Sequence, residues 1–245
     1  MNVNEFLGNR EQAVKALTGS HNYNLNTAGS DKDYKYFVFP TFNDLYAGKM
    51  FSNSVVSPEL DATCHDVRQL VDLVWKANVN FIEVLFSTSV HYDNAFAFMF
   101  GNREAYATMN LHTFFKATYG MHLMKMKDLH KGTAETTKLV EKFGYDTKQA
   151  CHALRCLWTI SRFMNCKNMG EALWFGENEP KRETLINLKE GKFTEEEFLK
   201  KVETWHYFWK DKAEKFYRET EPNEELYHEA QARVRDAVKE HLFPS

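Results

Sequence analysis

The sequence predicts an α+β fold, with a small mixed-sheet α/β unit over residues 1–95 followed by an all-helical region over 96–245. Three observations lead there. Residues up to about 90 interleave extended and helical patterns in the order helix, strand, strand, helix, strand, the texture of one small α/β unit. From about residue 95 onward the apolar residues recur almost entirely at helical spacing. The chain is 43% hydrophobic and 15% aromatic, enough to build a real core and far from the composition of disordered chains.

Taken in order, Asn9 to Leu17 reads as a helix with Ala13, Ala16 and Leu17 on one side, broken by Thr18-Gly19-Ser20. Asp33 to Pro40 (DYKYFVFP) is dense in aromatic and β-branched residues and reads as a strand that Pro40 ends. Glu59 to His65 is the second strand. Asp66 to Ala77 sets Val67, Leu70, Val71 and Val74 at helical spacing, and Asn78-Val79-Asn80 marks a turn. Phe81 to Phe86 (FIEVLF) is an apolar run of strand length interrupted only by Glu83. In the second half, helices are expected over Ala105 to Tyr119, Thr133 to Phe143 (ended by Gly144), and Thr147 to Met164, where Leu154, Leu157, Trp158 and Ser161 share a face. Thr194 to Thr220 opens with a capping box from Thr194 to Glu197, and Pro222 separates it from a last helix, Glu224 to His241. No internal repeat or low-complexity stretch interrupts this order.

Composition narrows the function classes. Thirty-one basic residues against thirty-four acidic ones give a net charge of −3, without the basic surplus usual in a nucleic-acid-binding domain. A local basic groove is compatible with that balance. No apolar run reaches 18 residues, and Met1 to Arg10 lacks a basic start and an apolar stretch, so neither a membrane span nor a signal peptide is expected. Cys64, Cys151, Cys156 and Cys166 form no CxxC pair, which argues against zinc, and free thiols fit a reducing cytoplasm.

The stretch from Gly19 to Asp33 carries the chemistry. Gly19-Ser20 opens a short turn that offers backbone N–H groups and a hydroxyl to a phosphate. Asp31 and Asp33 lie two apart on an extended segment, so both carboxylates project to one side. Oxygen ligands of that kind suit a hard divalent cation, and an anion cradle beside Mg²⁺ is what chemistry on a nucleoside triphosphate requires.

Gly19-Ser20, Tyr23, Leu25, Thr27 and Ser30-Asp31-x-Asp33 stand in register with a GSxxYGLxTxxSDxD signature. On these residues the chain resembles the DNA polymerase β superfamily of nucleotidyltransferases, and within it a branch of predicted bacterial and phage nucleotidyltransferases. It departs at Asn24, where that branch has Gly; Asn tolerates a left-handed backbone, so little loss is expected. Asn80 to Phe86 resembles the NPNxLExL segment of the branch, which makes Glu83 the expected third carboxylate, with Asp61 as runner-up. Gly144 to Arg155 resembles a GYDxKxAxHxxR segment, in which Lys148, His152 and Arg155 share one helix face. A further stretch, Arg182 to Gly191, resembles a family segment of no assigned role, so the resemblance runs from Gly19 to Gly191.

The resemblance implies a nucleotidyltransferase domain over 1–95 and a helical domain over 96–245 that closes the active-site cleft. It implies transfer of a nucleoside monophosphate from an NTP such as ATP to an acceptor hydroxyl, with release of pyrophosphate. An RNA or nucleotide acceptor is favoured over a protein or small molecule. Asp31, Asp33 and Glu83 would hold Mg²⁺ or Mn²⁺. Gly19, Ser20, Ser30, Lys148, His152 and Arg155 would bind the nucleotide. The competing expectation is a non-catalytic nucleotide-binding or interaction module that kept the fold; an intact carboxylate set weighs against it, because like charges held together without a cation destabilise a fold.

Two other patterns are read as structural. Cys64-His65 with His112, His122 and His130 match no compact zinc ligand spacing. Trp205-His206-Tyr207-Phe208-Trp209 reads as a buried helix seam rather than a base-stacking platform.

Overall fold

The computed structural model describes residues 2–57, 59–133, 136–208 and 212–244. The chain folds into two compact units. The first comprises Met1–Tyr23, Ala28–Asn110 and Pro222–Ser245, and the second Asn24–Thr27 and Leu111–Glu221. The first unit therefore runs past residue 95 to Asn110 and takes back the end of the chain.

The first unit is built on five strands, β1 (Gln12–Thr18), β2 (Asp33–Val38), β3 (Ser52–Val56), β4 (Asp61–Asp66) and β5 (Val90–Tyr92). Their order is β3-β4-β2-β1-β5. β2 and β4 run parallel and every other neighbouring pair is antiparallel, so the sheet is mixed. One face of β2 and β4 packs Tyr36, Val38, Ala62 and Cys64 against Phe6 and Leu7. The other carries Asp33, Lys35 and Phe37 beside Asp61, Thr63 and His65, since side chains alternate along a strand.

Three expectations for this unit are corrected. Residues 12–18 form a strand, not a helix, because they fill a ladder between β2 and β5. Ala13, Val14 and Ala16 are wholly buried there, and tertiary pairing overrides the helical preference of alanine. Phe81 to Phe86 is not a strand but part of a helix, Val79–Leu85, whose N-terminus is capped by the Asn78 side chain accepting from the Asn80 N–H. A short apolar run reads alike for a buried strand and a buried helix, and Ile82, Val84 and Leu85 are indeed all buried. Ala105 to Tyr119 is split into Arg103–Thr108 and Leu111–Lys127, at the division between the units. Strands β3 and β5 were not expected from sequence.

The helix Glu224–Leu242 completes the first unit. It buries Ala230, Val234 and Val238, Tyr227 donates its hydroxyl to Asp72 at 2.8 Å, and the Tyr227 ring lies 4.5 Å from Trp75.

The second unit is helical and centres on Thr147–Cys166, which Asp146 caps by accepting from the Gln149 N–H. Gly144, in the left-handed region at φ 83°, ends the preceding helix as expected. Phe114 and Phe115 of Leu111–Lys127 meet Phe163 edge-on at 5.8 and 6.1 Å. The capping box at Thr194 forms, with the Thr194 N–H donating to Glu197 and the Glu197 N–H to Thr194 Oγ1. It starts Glu195–Phe208, and Glu214–Arg218 follows as a separate helix. Within the aromatic seam Trp205 meets Trp158 and Phe208, while Tyr207 is exposed; Trp209 lies outside the described residues. Among the described residues no helix is long and apolar enough to cross a membrane.

Candidate active site

β1 ends at Thr18, and the chain turns through Gly19–Asn22, a single helical turn. Gly19 has φ +70°, and a Cβ built on it would stand 2.0 Å from Asp33 Oδ2. Glycine is required there twice, by the left-handed backbone and by the carboxylate lying against its Cα. Thr18 pairs with Asp33 across the β1–β2 ladder, and Thr18 Oγ1 donates to the Asp33 carbonyl at 3.3 Å. The expected Gly-Ser turn and second motif aspartate are thus in direct contact.

Asp33 is the first residue of β2 and Asp61 the first of β4, and the two are partners in the parallel ladder. Their side chains hydrogen-bond to each other. Burial, then the charge of Asp61, push the Asp33 carboxyl up to about 6; Asp31 adds to the rise and Lys35 opposes it. Asp31 itself is exposed. Among the described residues no three His, Cys, Asp or Glu side chains are gathered as a ready metal-binding set. What the fold provides is a carboxylate pair with a third aspartate near enough to act on it. A half-buried carboxyl pair of oxygen donors fits a hard divalent cation, which would take the place of the shared proton and relieve the repulsion that arises once both groups ionise.

Glu83 is placed differently from Asp33 and Asp61. It sits on the Val79–Leu85 helix, 2% exposed, and accepts the Gly19 N–H at 3.0 Å. Its carboxylate thus supports the Gly-Ser turn. Ser20 is half-buried, and the Ser30 carbonyl meets His21 Nε2 at 3.1 Å, joining the turn to the start of the Asp-x-Asp segment.

The remaining expected residues belong to the second unit. Lys148 and His152 are exposed on Thr147–Cys166 and Arg155 is buried one turn further on. The His152 pKa is pushed down, by desolvation and by the charges of Arg155, Lys125, Lys189 and Lys148; because the residue is exposed, the cationic neighbours are the cause that its surroundings bear out. Lys125 and Lys189 join a cationic group that the sequence showed only in part, because they come from two other helices. Asn24–Thr27 of the motif also belong to this unit. Asn24 adopts φ 59° and donates its amide to the Phe175 carbonyl at 2.8 Å, while Arg182 Nε donates to the Asn24 carbonyl at 2.7 Å. The departure from Gly at position 24 keeps the left-handed backbone and adds a hydrogen bond that glycine cannot make.

A small mixed five-stranded sheet followed by helices matches the α+β fold of a nucleotidyltransferase, and the family comparison places the chain in the polymerase β superfamily. More narrowly, the chain belongs to the RlaP family, the RNA repair pathway DNA polymerase beta family, whose model matches residues 13–238. That span takes in the whole second unit, most of the first and the greater part of the last helix, which motif reading left unplaced. No curated protein matches the chain.

Proposed function

We propose that the protein transfers a nucleoside monophosphate from an NTP to an acceptor hydroxyl in a reaction that depends on Mg²⁺ or Mn²⁺, with an RNA end as the favoured acceptor. The observation that carries this reading is the Asp33–Asp61 pair, two carboxylates in contact beside a turn that only glycine can make. Holding such a pair costs stability unless a cation binds, so its presence speaks for catalysis over a binding module that merely kept the fold. The RNA acceptor rests on the family, which is described by an RNA repair pathway.

In this reading Asp31, Asp33 and Asp61 would hold the cation, with Asp61 in the place expected of Glu83. When bound, the cation would neutralise the triphosphate and lower the pKa of the attacking hydroxyl. Ser20 and Ser30 orient the phosphates, and Lys148 and Arg155 keep the nucleotide-binding role that the resemblance implies. The acceptor oxygen attacks the α-phosphorus, its proton passes to the aspartate pair, and the bond to the β-phosphate breaks to release pyrophosphate. His152 is neutral and takes no proton in this scheme.

The test incubates the protein with each α-labelled NTP, Mg²⁺ and RNA carrying defined 3′ ends. Label should appear in RNA with stoichiometric pyrophosphate, and Asp33→Asn should lose at least about a thousandfold in rate. Undiminished turnover by Asp33→Asn would overturn the mechanism. Label appearing instead in protein or small molecules would reassign the acceptor.

A further inference from the structure

We infer that Glu83 is a positioning residue that locks the Gly-Ser turn in place, rather than a ligand to the cation; this rests on the reading of the site given above. Glu83 is nearly fully buried, and a buried carboxylate must be compensated by donors. The donors are on the turn. The Gly19 N–H donates to Glu83 Oε2 at 3.0 Å, and Asn22 Nδ2 donates to the same oxygen at 3.4 Å and to the Glu83 carbonyl at 3.1 Å. Asn22 then reaches the segment leading into β5, its Oδ1 accepting the Thr88 N–H at 2.9 Å. Next to it, Ser87 Oγ donates to the Leu17 carbonyl at 2.8 Å.

Two consequences follow from these bonds. An N–H already engaged by Glu83 is not offered to a phosphate, so Gly19 serves by its conformation and Ser20 is the residue left to meet the nucleotide. Gly19 also lies against the Asp33 carboxylate, so whatever fixes Gly19 fixes the wall on which that carboxylate rests. Glu83 and Asn22 therefore set the distance between the turn and the aspartate pair without touching either substrate or cation.

The two roles for Glu83 separate on charge. A ligand needs the negative charge, whereas a lock needs an acceptor of the same shape. Glu83→Gln keeps an acceptor for the Gly19 N–H, and Glu83→Ala removes it. Three quantities are measured in the full-length protein: Mn²⁺ affinity by electron paramagnetic resonance, affinity for each of the four NTPs with Mg²⁺ by equilibrium dialysis, and hydrogen exchange of the Gly19 amide by NMR.

Glu83→Gln is expected within about threefold of wild type in all three, in contrast to Asp33→Asn, which loses Mn²⁺. Glu83→Ala is expected to speed Gly19 exchange and to weaken NTP binding, each by about tenfold or more. Asn22→Asp should behave like Glu83→Ala, because it sets a second carboxylate against Glu83, and the double variant Asn22→Asp/Glu83→Gln should recover part of the loss. The isosteric variants keep the test readable if Glu83→Ala does not fold. Loss of Mn²⁺ binding in Glu83→Gln, or a Glu83→Ala protein with wild-type exchange at Gly19, would overturn the proposal. If wild type binds no NTP or Mn²⁺ while Gly19 exchange still responds to Glu83, the lock stands and the nucleotidyltransferase reading falls.

Discussion

Asp33 and Asp61 open two parallel strands side by side, and their carboxyl groups share a hydrogen bond. Such a bond needs a proton, and burial with the neighbouring charge keeps it on Asp33 up to about pH 6. A carboxyl whose pKa is raised on folding stabilises the fold at low pH, where it is protonated in both states. That contribution is lost as pH rises, starting near the unfolded value of 3.8 and complete above about 6. Asp33→Asn should therefore gain stability over wild type across this window, on the order of 1 to 2 kcal/mol after allowance for solvent screening. Urea titrations at pH 4 and pH 7 check it. Equal differences at the two pH values would mean that the pair does not titrate as described.

A cation replaces that proton. Mg²⁺ or Mn²⁺ with an NTP should raise the melting temperature more than either alone, because both bind only the folded state. Asp61→Asn should abolish the metal-dependent part of the rise as fully as Asp33→Asn does, and weaken Mn²⁺ by about tenfold or more. A full metal response in Asp61→Asn would exclude Asp61 as a ligand and return attention to Asp31 with another donor.

Gly19→Ala tests the turn on its own. The added Cβ meets Asp33 Oδ2 at 2.0 Å in a backbone region that alanine avoids. Strain of this kind costs about 1 to 3 kcal/mol, and relief by moving Asp33 would break the pair. The expected outcome is a lower melting temperature together with weaker Mn²⁺ binding. Unchanged Mn²⁺ affinity would show that the Asp33 carboxylate does not depend on the turn.

Much of this site was legible because it is contiguous. Gly19, Ser20, Asp31 and Asp33 fall within fifteen residues, and an Asp-Tyr-Lys-Tyr-Phe-Val strand has few other readings. What sequence could not show was pairing. Asp61 stands beside Asp33 only because β4 runs parallel to β2, and no local pattern encodes a register. Phe81 to Phe86 misled as to its element because a charged residue in a short apolar run suits a strand and a buried helix equally well until the helix is seen. Gln12 to Thr18 misled because Ala13, Ala16 and Leu17 also fit helical spacing, although burial alternates along the strand from Val14 to Thr18. The last helix read correctly as a helix, but its return to the first unit depends on contacts such as Tyr227 with Asp72, 155 residues apart.

The cationic group around His152 gives the last prediction. Four positive neighbours hold the His152 pKa below the ordinary imidazole value, so by NMR it should titrate below pH 6.5. Anything that cancels the neighbouring charge should raise its pKa. Inorganic tripolyphosphate, used as a probe of a triphosphate site, should raise it by about one unit or more, and so should Lys148→Met combined with Lys189→Met. The same double variant should weaken NTP binding by about tenfold, since each charged contact is worth a few-fold and both act on one anion. Arg155→Met is the harder test, because Arg155 is buried and its loss also disturbs the helix. Its effect on NTP binding should therefore be read beside its melting temperature. If tripolyphosphate leaves the His152 resonance unmoved and the lysine double variant binds NTP as wild type does, the triphosphate is held elsewhere and these cations serve another anion.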